Sequence, residues 1–333
     1  MTKIKLRGLK LLEGGAQVVS SNAGDHSLLA KGICSPLALN KINLNFLAHI
    51  ALDESDSFLT ALCTEGSAGR ASSSLIEVGG VVDLHENVSI LSVFPHDQRP
   101  QVTGLLLDAL AKKKIPLQGM ASSPSAVSSI VSTAETEGAI ATLFEAFEFP
   151  AYRSPSDWYA AYEGKEHLLQ KIIASYREKV VRIYDIVQQS DLELWSLIVD
   201  QGDLAKLGEG LTALGQWDRR MPFIIGLPTP ENKLVFALCL SEGQDSHIRE
   251  TFSSHLEAPV LAHYSPVAAL FIHGPHFGDR YGIAHTLVRA LESRGVSLRA
   301  LACTVSSISV IIREEELVAA VEALEATFQK SSR

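Results

Sequence analysis

Two short segments of the chain carry acidic and basic side chains just before an apolar helical pattern begins. The first contains Asp97 and Arg99, and the second contains Asp279 and Arg280, followed by Ile283. A free helix N-terminus offers backbone N–H donors and a partial positive charge, which together favour a carboxylate. A neighbouring acid can pair with an ammonium group. These segments are therefore suited to a small molecule that carries both groups, although the same residues could instead cap the helices and face water.

Sequence signatures of catalysis are largely absent. The chain has no GxxxxGK[ST] loop, no correctly placed GxGxxG and no GxSxG nucleophile elbow. His273, His276 and His285 lack a carboxylate that would complete a metal site, so loop histidines are the better interpretation. The serines of the run 122–129 have no neighbouring base, and hydrogen bonding within a hairpin or to a ligand explains them better. We therefore predict no catalytic residue, no metal and no cofactor.

Composition and charge exclude several classes of protein. The 333 residues are 46% hydrophobic and 20% charged, with a net charge of -9. The basic triplet 112–114 falls where a helix is predicted to end, and the C-terminus of a helix favours cations. The triplet is therefore explained without a nucleic acid, and since binding to phosphates needs clustered positive charge, we expect no nucleic-acid partner. The four cysteines form no CxxC pair, and we expect them to be reduced thiols rather than zinc ligands or disulfides. Without an export signal or an apolar run of about 18 residues, we predict a cytoplasmic protein with no membrane contact.

Residues 88–147 form a pattern that is repeated near the end of the chain. The pattern predicts a strand, a helix, two strands and a second helix. Three apolar positions of the first helix recur at identical spacing: Val102, Ala109 and Leu110 become Ile283, Ala290 and Leu291. The copies differ in length only in the loop 274–279, and loops tolerate insertions well. A second repeat relates residues 58–63, predicted to pair as a strand with 43–52, to residues 234–239.

The repeats divide the chain into five segments. Residues 1–87, 88–150, 191–266 and 267–333 each follow the ferredoxin-like βαββαβ plan, the first beginning with a short strand at 16–20. Residues 151–190 differ, and we predict a connecting helix that starts at Ser154-Pro155. Its apolar positions follow heptad spacing: Leu169, Ile173, Tyr176, Val180, Ile183 and Val187. Such a helix either packs on its own domain or forms a dimer contact. The predicted fold class is α+β, with four ferredoxin-like units arranged as two similar pairs.

The details of the repeated unit resemble the regulatory ACT domains of aspartokinases. The segments Arg99-Pro100-Gln101-Val102 and Asp279-Arg280-Tyr281-Gly282 are similar to the DRPG-like loop that opens the first helix of those domains. The serine-rich run 120–128 is similar to the hairpin that closes their second domain, and 301–309 is a weaker copy. The resemblance is absent from 151–190, and no Lys-Phe-Gly-Gly-like start of a kinase domain is present.

This resemblance implies where an amino-acid effector would bind. ACT domains pair side by side and bind amino acids at their interfaces, through the loop after the first strand, the start of the first helix and the second strand. The corresponding residues here are His96, Asp97, Arg99, Gln101, Gln118, Met120 and Ser122 in one copy, and His276, Asp279, Arg280, Gly282, Ile283, Arg299 and Leu301 in the other. Two departures matter. Gln101 replaces the loop glycine, and the acidic hairpin residue is Pro124 in one half and Val305 in the other.

These patterns together predict a stand-alone, non-catalytic regulatory protein. It would be a homodimer of ACT-type units that senses a free amino acid and modulates a separate biosynthetic enzyme. One alternative is an aspartokinase-related enzyme or an accessory subunit of one, and another is a structural assembly module without a ligand. The identity of the amino acid is not predicted, because an interface pocket depends on which faces meet.

Overall fold

The computed structural model of the chain has a mixed α and β fold. The residues it describes are 3–23, 29–52, 57–65, 68–76, 81–162, 182–217, 220–241, 243, 245–256, 260–274, 281–304 and 307–330. The strands are β1 (Ile4–Lys5), β2 (Gly8–Ala23), β3 (Phe46–Ala51), β4 (Ser57–Glu65), β5 (Val81–Phe94), β6 (Gly119–Ser122), β7 (Val127–Ser132), β8 (Phe147–Glu148), β9 (Arg182–Ile183), β10 (Asp185–Asp200), β11 (Phe223–Pro228), β12 (Lys233–Ser241), β13 (Val260–His273), β14 (Ala300–Thr304), β15 (Ser307–Arg313) and β16 (Gln329–Lys330).

The α-helices lie between these strands in an order that fits ferredoxin-like units. They are α1 (Ser35–Leu39), α2 (Ala68–Ile76), α3 (Pro100–Lys112), α4 (Thr136–Ala146), α5 (Pro155–Tyr162), α6 (Leu204–Gln216), α7 (Asp245–His255), α8 (Ile283–Glu292) and α9 (Leu317–Thr327). A π-helix, Leu29–Cys34, leads into α1. No helix in the described ranges is long and apolar enough to cross a membrane.

Twelve of the described strands join into one sheet that closes on itself. Their order is β10-β12-β11-β6-β7-β5-β2-β4-β3-β14-β15-β13, and β13 pairs back onto β10. Each neighbouring pair is antiparallel, and two short parallel pairs, β1–β8 and β9–β16, lie outside the ring. Since every strand of the ring has a neighbour on both sides, the ring presents no open edge.

Side chains alternate between the inside and the outside of this closed sheet. On β13, Val267, Ala269 and Phe271 belong to the interior core, whereas Ala268, Leu270 and Ile272 belong to an outer core. The interior core takes buried residues from all twelve strands of the ring. One outer core is packed by α3 to α7 and the other by α1, α2, α8 and α9. The period-2 pattern of the strands thus gives apolar layers on both faces of the sheet.

The predicted connecting helix is only partly found. Helix α5 begins at Pro155 as expected, and the Ser154 hydroxyl accepts the Asp157 N–H at 3.1 Å. However, α5 ends at Tyr162, and Leu169, Ile173, Tyr176 and Val180 lie outside the described residues. The helical prediction for Ile183 and Val187 is wrong, because they lie in β9 and β10. Residues 185–189 pair along β13, and this hydrogen-bond ladder outweighs the heptad spacing.

The segments predicted from the repeats are joined by unbroken strands. β5 runs through the predicted boundary at residue 87, and β13 runs through the one at residue 266. β2 is also much longer than the predicted strand at 16–20. Its first part, Gly8 to Leu12, pairs with Phe94 to Ile90, and its second part, Gly15 to Ser21, pairs with Val88 to Val81. Each of these long strands therefore belongs to two neighbouring segments of the sheet.

Candidate functional site

The predicted ligand-binding residues that the structure describes lie at two interfaces, where parts of the chain that are distant in sequence meet. At the first interface, β6 pairs with β11 and α3 packs against α6. At the second interface, β3 pairs with β14, and the π-helix before α1 packs against α8. The second pairing is longer, since residues 46–51 and 300–304 share five paired positions. The structure thus brings the helix and strand of each repeated unit against those of another unit.

Glycines allow the two helices of the first interface to touch. A Cβ placed at Gly104 would lie 2.5 Å from the Gly208 carbonyl oxygen, and one at Gly208 would lie 2.6 Å from the Gly104 carbonyl oxygen. Further along, the Gln101 side chain occupies the space beside Gly215, where an added Cβ would lie 1.8 Å from Gln101 Cδ. Gln101, which replaces the loop glycine of ACT domains, therefore packs between the helices.

The loop before α3 is held by its own side chains. His96 is fully buried, and its Nε2–H donates to the Ser123 carbonyl oxygen at 2.7 Å. Burial lowers the pKa of His96, so the imidazole is neutral. Asp97 is exposed and forms an ion pair with Arg99 at 3.1 Å. Asp97 also has a positive φ of 53°, which places the loop backbone in a tight turn.

The strand starts of the first interface are bonded to residues across it. The Gln98 carbonyl oxygen accepts the Met221 N–H at 2.7 Å, and the Ser122 hydroxyl accepts the Ile224 N–H at 2.9 Å. The Gln201 side-chain amide accepts the Leu117 N–H at 3.3 Å and donates to the Leu117 carbonyl oxygen at 2.6 Å. The sequence-based prediction included Ser122 and missed Gln201, whose role depends on a partner strand that a linear pattern does not show.

Two other residues predicted to bind a ligand at the first interface contact mainly core side chains and neighbouring strands. Met120 is fully buried in an outer core and pairs with Gly226 of β11. The Gln118 carbonyl oxygen accepts a hydrogen bond at 2.8 Å from Gln17 Nε2, which comes from β2. Gln118 Oε1 is buried and has no hydrogen-bond partner among the described residues.

The second interface contains the remaining described site residues. Gly282 precedes α8 with a φ of +84°, and a Cβ there would lie 3.6 Å from Ala38 Cβ. Ile283 is buried in the outer core, and Leu301 of β14 pairs with His49 of β3. His276, Asp279 and Arg280 were also predicted here, and they lie outside the described residues.

Arg299 lies where β14 begins and β3 ends. Its carbonyl oxygen accepts the Ala51 N–H at 3.0 Å, and its guanidinium carbon lies 4.4 Å from the centre of the Tyr264 ring. Its Nε is buried and has no hydrogen-bond partner in the described part of the chain. A guanidinium N–H in this state needs an acceptor, and a carboxylate is the acceptor that guanidinium groups bind best.

The sequence-based prediction missed a buried polar group beside Leu301. His49 is 4% exposed, and its Nδ1 lies 2.8 Å from Thr60 Oγ1 on the adjacent strand. Thr60 in turn pairs with Ser20 of β2. A histidine inside the apolar-looking run 46–51 was the available signal, but the run alone does not show which residues face it.

The remaining titratable groups do not suggest metal or thiol chemistry in the described part of the chain. No cluster of three or more His, Cys, Asp or Glu side chains that could hold a metal ion occurs among those residues. Burial raises the pKa of the Cys303 thiol to about 12, so the thiol stays protonated at neutral pH.

Comparisons with known proteins agree with this architecture. Residues 263–326 match the ACT domain family model. The fold is similar to that of aspartate kinase from Synechocystis, with a TM-score of 0.79 and 14% identity over 98% of this chain and 57% of that chain. The ligand-free regulatory subunit of aspartate kinase from Thermus thermophilus covers 43% of this chain and 99% of its own, with 21% identity and a TM-score of 0.39. No curated protein matches the chain.

These comparisons correct the functional prediction. The protein was expected to be a stand-alone regulator without catalytic function, and the expectation of a non-enzyme is wrong. Nearly the whole chain has the fold of part of an aspartate kinase, and it spans little more than half the length of that protein. The comparison supports the alternative, an aspartokinase-related enzyme.

Proposed function

We propose that this chain forms the amino-acid-binding part of an aspartokinase-related enzyme, either as a region of that enzyme or as an accessory subunit of it. The observation that carries the proposal is the likeness to the Synechocystis aspartate kinase over 98% of the chain. The ACT match at 263–326 and the paired helices and strands of the two interfaces support it. The substrate would be aspartate with ATP, and the effector a free amino acid.

The proposal includes four ferredoxin-like units that are interleaved rather than strung along the chain. Gly8 to Leu12 lies beside β5, where it supplies the fourth strand of the unit at 88–150. Asp185 to Gln189 lies beside β13 and supplies the fourth strand of the unit at 267–333. The units at 1–87 and 191–266 are then inserted into the other two. The same pairing in both halves of the chain supports this division.

A cytoplasmic location and a homodimer belong to the same proposal. Because the ring of strands has no open edge, a dimer contact would use the outer helices or a further region of the enzyme rather than an added strand. Light scattering on the purified protein tests the dimer, and a mass of one chain contradicts it.

The proposed function is tested by isolating the tagged protein from its own cells and measuring ATP-dependent phosphorylation of aspartate. We expect aspartate kinase activity to accompany the chain and to change when single amino acids are added at millimolar concentration. A matched preparation from untagged cells is the control. Absence of the activity from an otherwise intact, folded preparation would falsify the proposal.

A further inference from the structure

Three residues of the unit at 191–266 form a buried polar cluster that includes none of the predicted ligand-binding residues. Glu193 and Trp195 lie two positions apart on β10, and His263 lies directly opposite Trp195 on β13. Glu193 is 3% exposed and Trp195 is fully buried. Glu193 Oε2 accepts the Trp195 Nε1–H at 3.1 Å, and the imidazole of His263 stacks on the indole with ring centres 4.0 Å apart. We call Glu193, Trp195 and His263 the Glu193 cluster.

The equivalent positions in the first half of the chain are apolar. Val18 of β2 lies opposite Leu84 of β5 in the same register as Trp195 lies opposite His263. Val18 and Leu84 pack in an outer core, and Ala16 stands where the cluster has its carboxylate. The fold of the unit therefore does not require polar groups here. Burial of a carboxylate is unfavourable unless it is paired, so its presence calls for a specific explanation.

The carboxylate of the cluster joins the sheet to α7. Glu193 Oε1 accepts the N–H of Gly243, which lies in the turn that leads into α7, at 3.1 Å. Arg249 of α7 places its guanidinium carbon 4.8 Å from the centre of the Trp195 ring. Helix α7 packs in turn on α6, the helix that contacts α3 at the first interface. The cluster thus holds α7 against the sheet, and α7 supports α6.

One contact of the cluster depends on the protonation of His263. Its Nε2 lies 3.5 Å from Glu193 Oε2, is buried, and has no hydrogen-bond partner in the described part of the chain. A neutral imidazole has a single N–H, whereas both ring nitrogens of the protonated form are donors. The protonated ring therefore presents an N–H to the carboxylate, and a charge-assisted hydrogen bond is about twice as strong as a neutral one.

The other groups in contact with the cluster do not change charge near neutral pH. Among the described residues, Arg249 is the second charged group in contact with it, and a guanidinium stays protonated. On the other side of β10, β12 presents the apolar Leu238 and Leu240. Asp245 and His247 belong to the first turn of α7, and their side chains lie outside the described part of the chain. They are therefore tested by substitution.

We propose that the Glu193 cluster is a pH-sensitive clamp on α7. When His263 is protonated, its imidazolium pairs with the Glu193 carboxylate, and the carboxylate holds the Gly243 N–H and with it the start of α7. When His263 is neutral, the ion pair is lost and the start of α7 opens more readily. The clamp does not depend on the proposed function, because it acts within one chain and without a ligand.

The first measurement follows the indole N–H signals of the purified full chain by NMR from about pH 5 to about pH 8, where histidine changes charge. We expect the Trp195 signal to move with pH. Trp158 is the internal control, because its Nε1–H donates to the Leu9 carbonyl oxygen, which does not titrate, also at 3.1 Å. His263→Phe keeps a ring on the indole and removes the proton-binding nitrogens, so it should abolish the movement. His255→Gln, at the end of α7, should leave it unchanged.

The second measurement tests the clamp itself through hydrogen exchange of residues 241–255. After correction for the intrinsic exchange rate, we expect protection about tenfold greater at about pH 5.5 than at about pH 7.5, since a hydrogen bond to a charged group is lost between them. His263→Phe should remove this difference. The double variant Asp245→Asn, His247→Gln should retain it, which excludes those two side chains as its source.

Equal protection at the two pH values overturns the proposal even where the Trp195 signal moves, because His263 would then titrate without holding α7. A difference in protection that persists in His263→Phe overturns it as well. If His263→Phe fails to fold, Glu193→Gln replaces it. This change keeps an oxygen acceptor for the Gly243 and Trp195 N–H groups and removes the charge, so it should also abolish the pH difference.

Discussion

At the first interface, α3 and α6 approach until Gly104 and Gly208 touch, and the Gln201 side-chain amide bonds the backbone of Leu117 just before β6. At the second, a longer strand pairing runs beside an imidazole, two hydroxyls and a guanidinium. Among the described residues, a buried side-chain atom without a hydrogen-bond partner occurs at both interfaces, Gln118 Oε1 at the first and Arg299 Nε at the second. The strands at the two interfaces pair in the same register of the repeat. Identical backbone plans can therefore give two interfaces of different chemistry, according to a few side chains on a single cross-strand row.

The largest effect is expected from filling the helix contact of the first interface. Gly208→Ala places a Cβ 2.6 Å from the Gly104 carbonyl oxygen and 3.0 Å from the Asp108 backbone nitrogen. Neither backbone atom can move cheaply, so we expect a loss of about 2 kcal/mol or more in unfolding free energy, even after the better helix propensity of alanine. Urea unfolding measures it. Gly210→Ala, on the same helix, meets only ordinary contacts from 3.7 Å outward and should be neutral or stabilising. Equal effects of the two changes would disprove tight helix packing.

A smaller effect is expected at the helix start of the second interface. Gly282 has a φ of +84°, and Ala38 lies at an ordinary contact distance of 3.6 Å. Gly282→Ala should therefore cost about 1–2 kcal/mol through backbone strain rather than through a clash. Gly69→Ala in α2, where an added Cβ meets nothing within 4 Å, is the control. The comparison uses thermal and urea unfolding, and a stabilised Gly282→Ala protein would show that the left-handed conformation is not needed.

The smallest effect is expected in the pH dependence of stability. Burial lowers the pKa of His96 at the first interface below its ordinary value of 6.5. When the pH is below 6.5, His96 binds a proton in the unfolded chain but not in the folded chain, so the unfolding free energy falls as the pH decreases. When the pH is well above 6.5, His96 is neutral in both states and its contribution to the unfolding free energy is constant. His96→Gln should flatten this slope in urea unfolding between about pH 5 and pH 8. His273 and His285 also have pKa values lowered by burial, and their contribution of the same sign remains in the variant. An unchanged slope would mean that His96 does not contribute.

The sequence predicts local elements well because their causes are local. Proline at the start of α3 and the alternation of β5 place these elements within a few residues, and the strand pair at 43–52 and 58–64 is confirmed as β3 and β4. The ring of strands and the pairing of Gly8 to Leu12 with β5 depend on contacts between distant residues. Apolar periodicity shows that a segment has a buried face, but not which other segment covers it.

The candidate site shows the same limit. Arg299, Gly282 and Ser122 were predicted because a resemblance marks their positions in the repeat. Gln201 and His49 were not, since each acquires its role from a strand that is distant in sequence: Leu117 precedes β6, and Leu301 lies on β14. The heptad interpretation of Ile183 and Val187 failed for a related reason, because the ladder with β13 decides their conformation.

The closed ring of strands also affects how the chain folds during its synthesis. β3 is complete once residue 51 has been synthesised, yet its neighbour β14 begins only at residue 300. At a synthesis rate of about 5–20 residues per second, the outer edge of β3 waits on the order of tens of seconds for that neighbour. During this time an apolar strand edge is exposed on the nascent chain, and such edges pair readily with other chains. We therefore expect this edge to be the point at which nascent chains most need protection by chaperones.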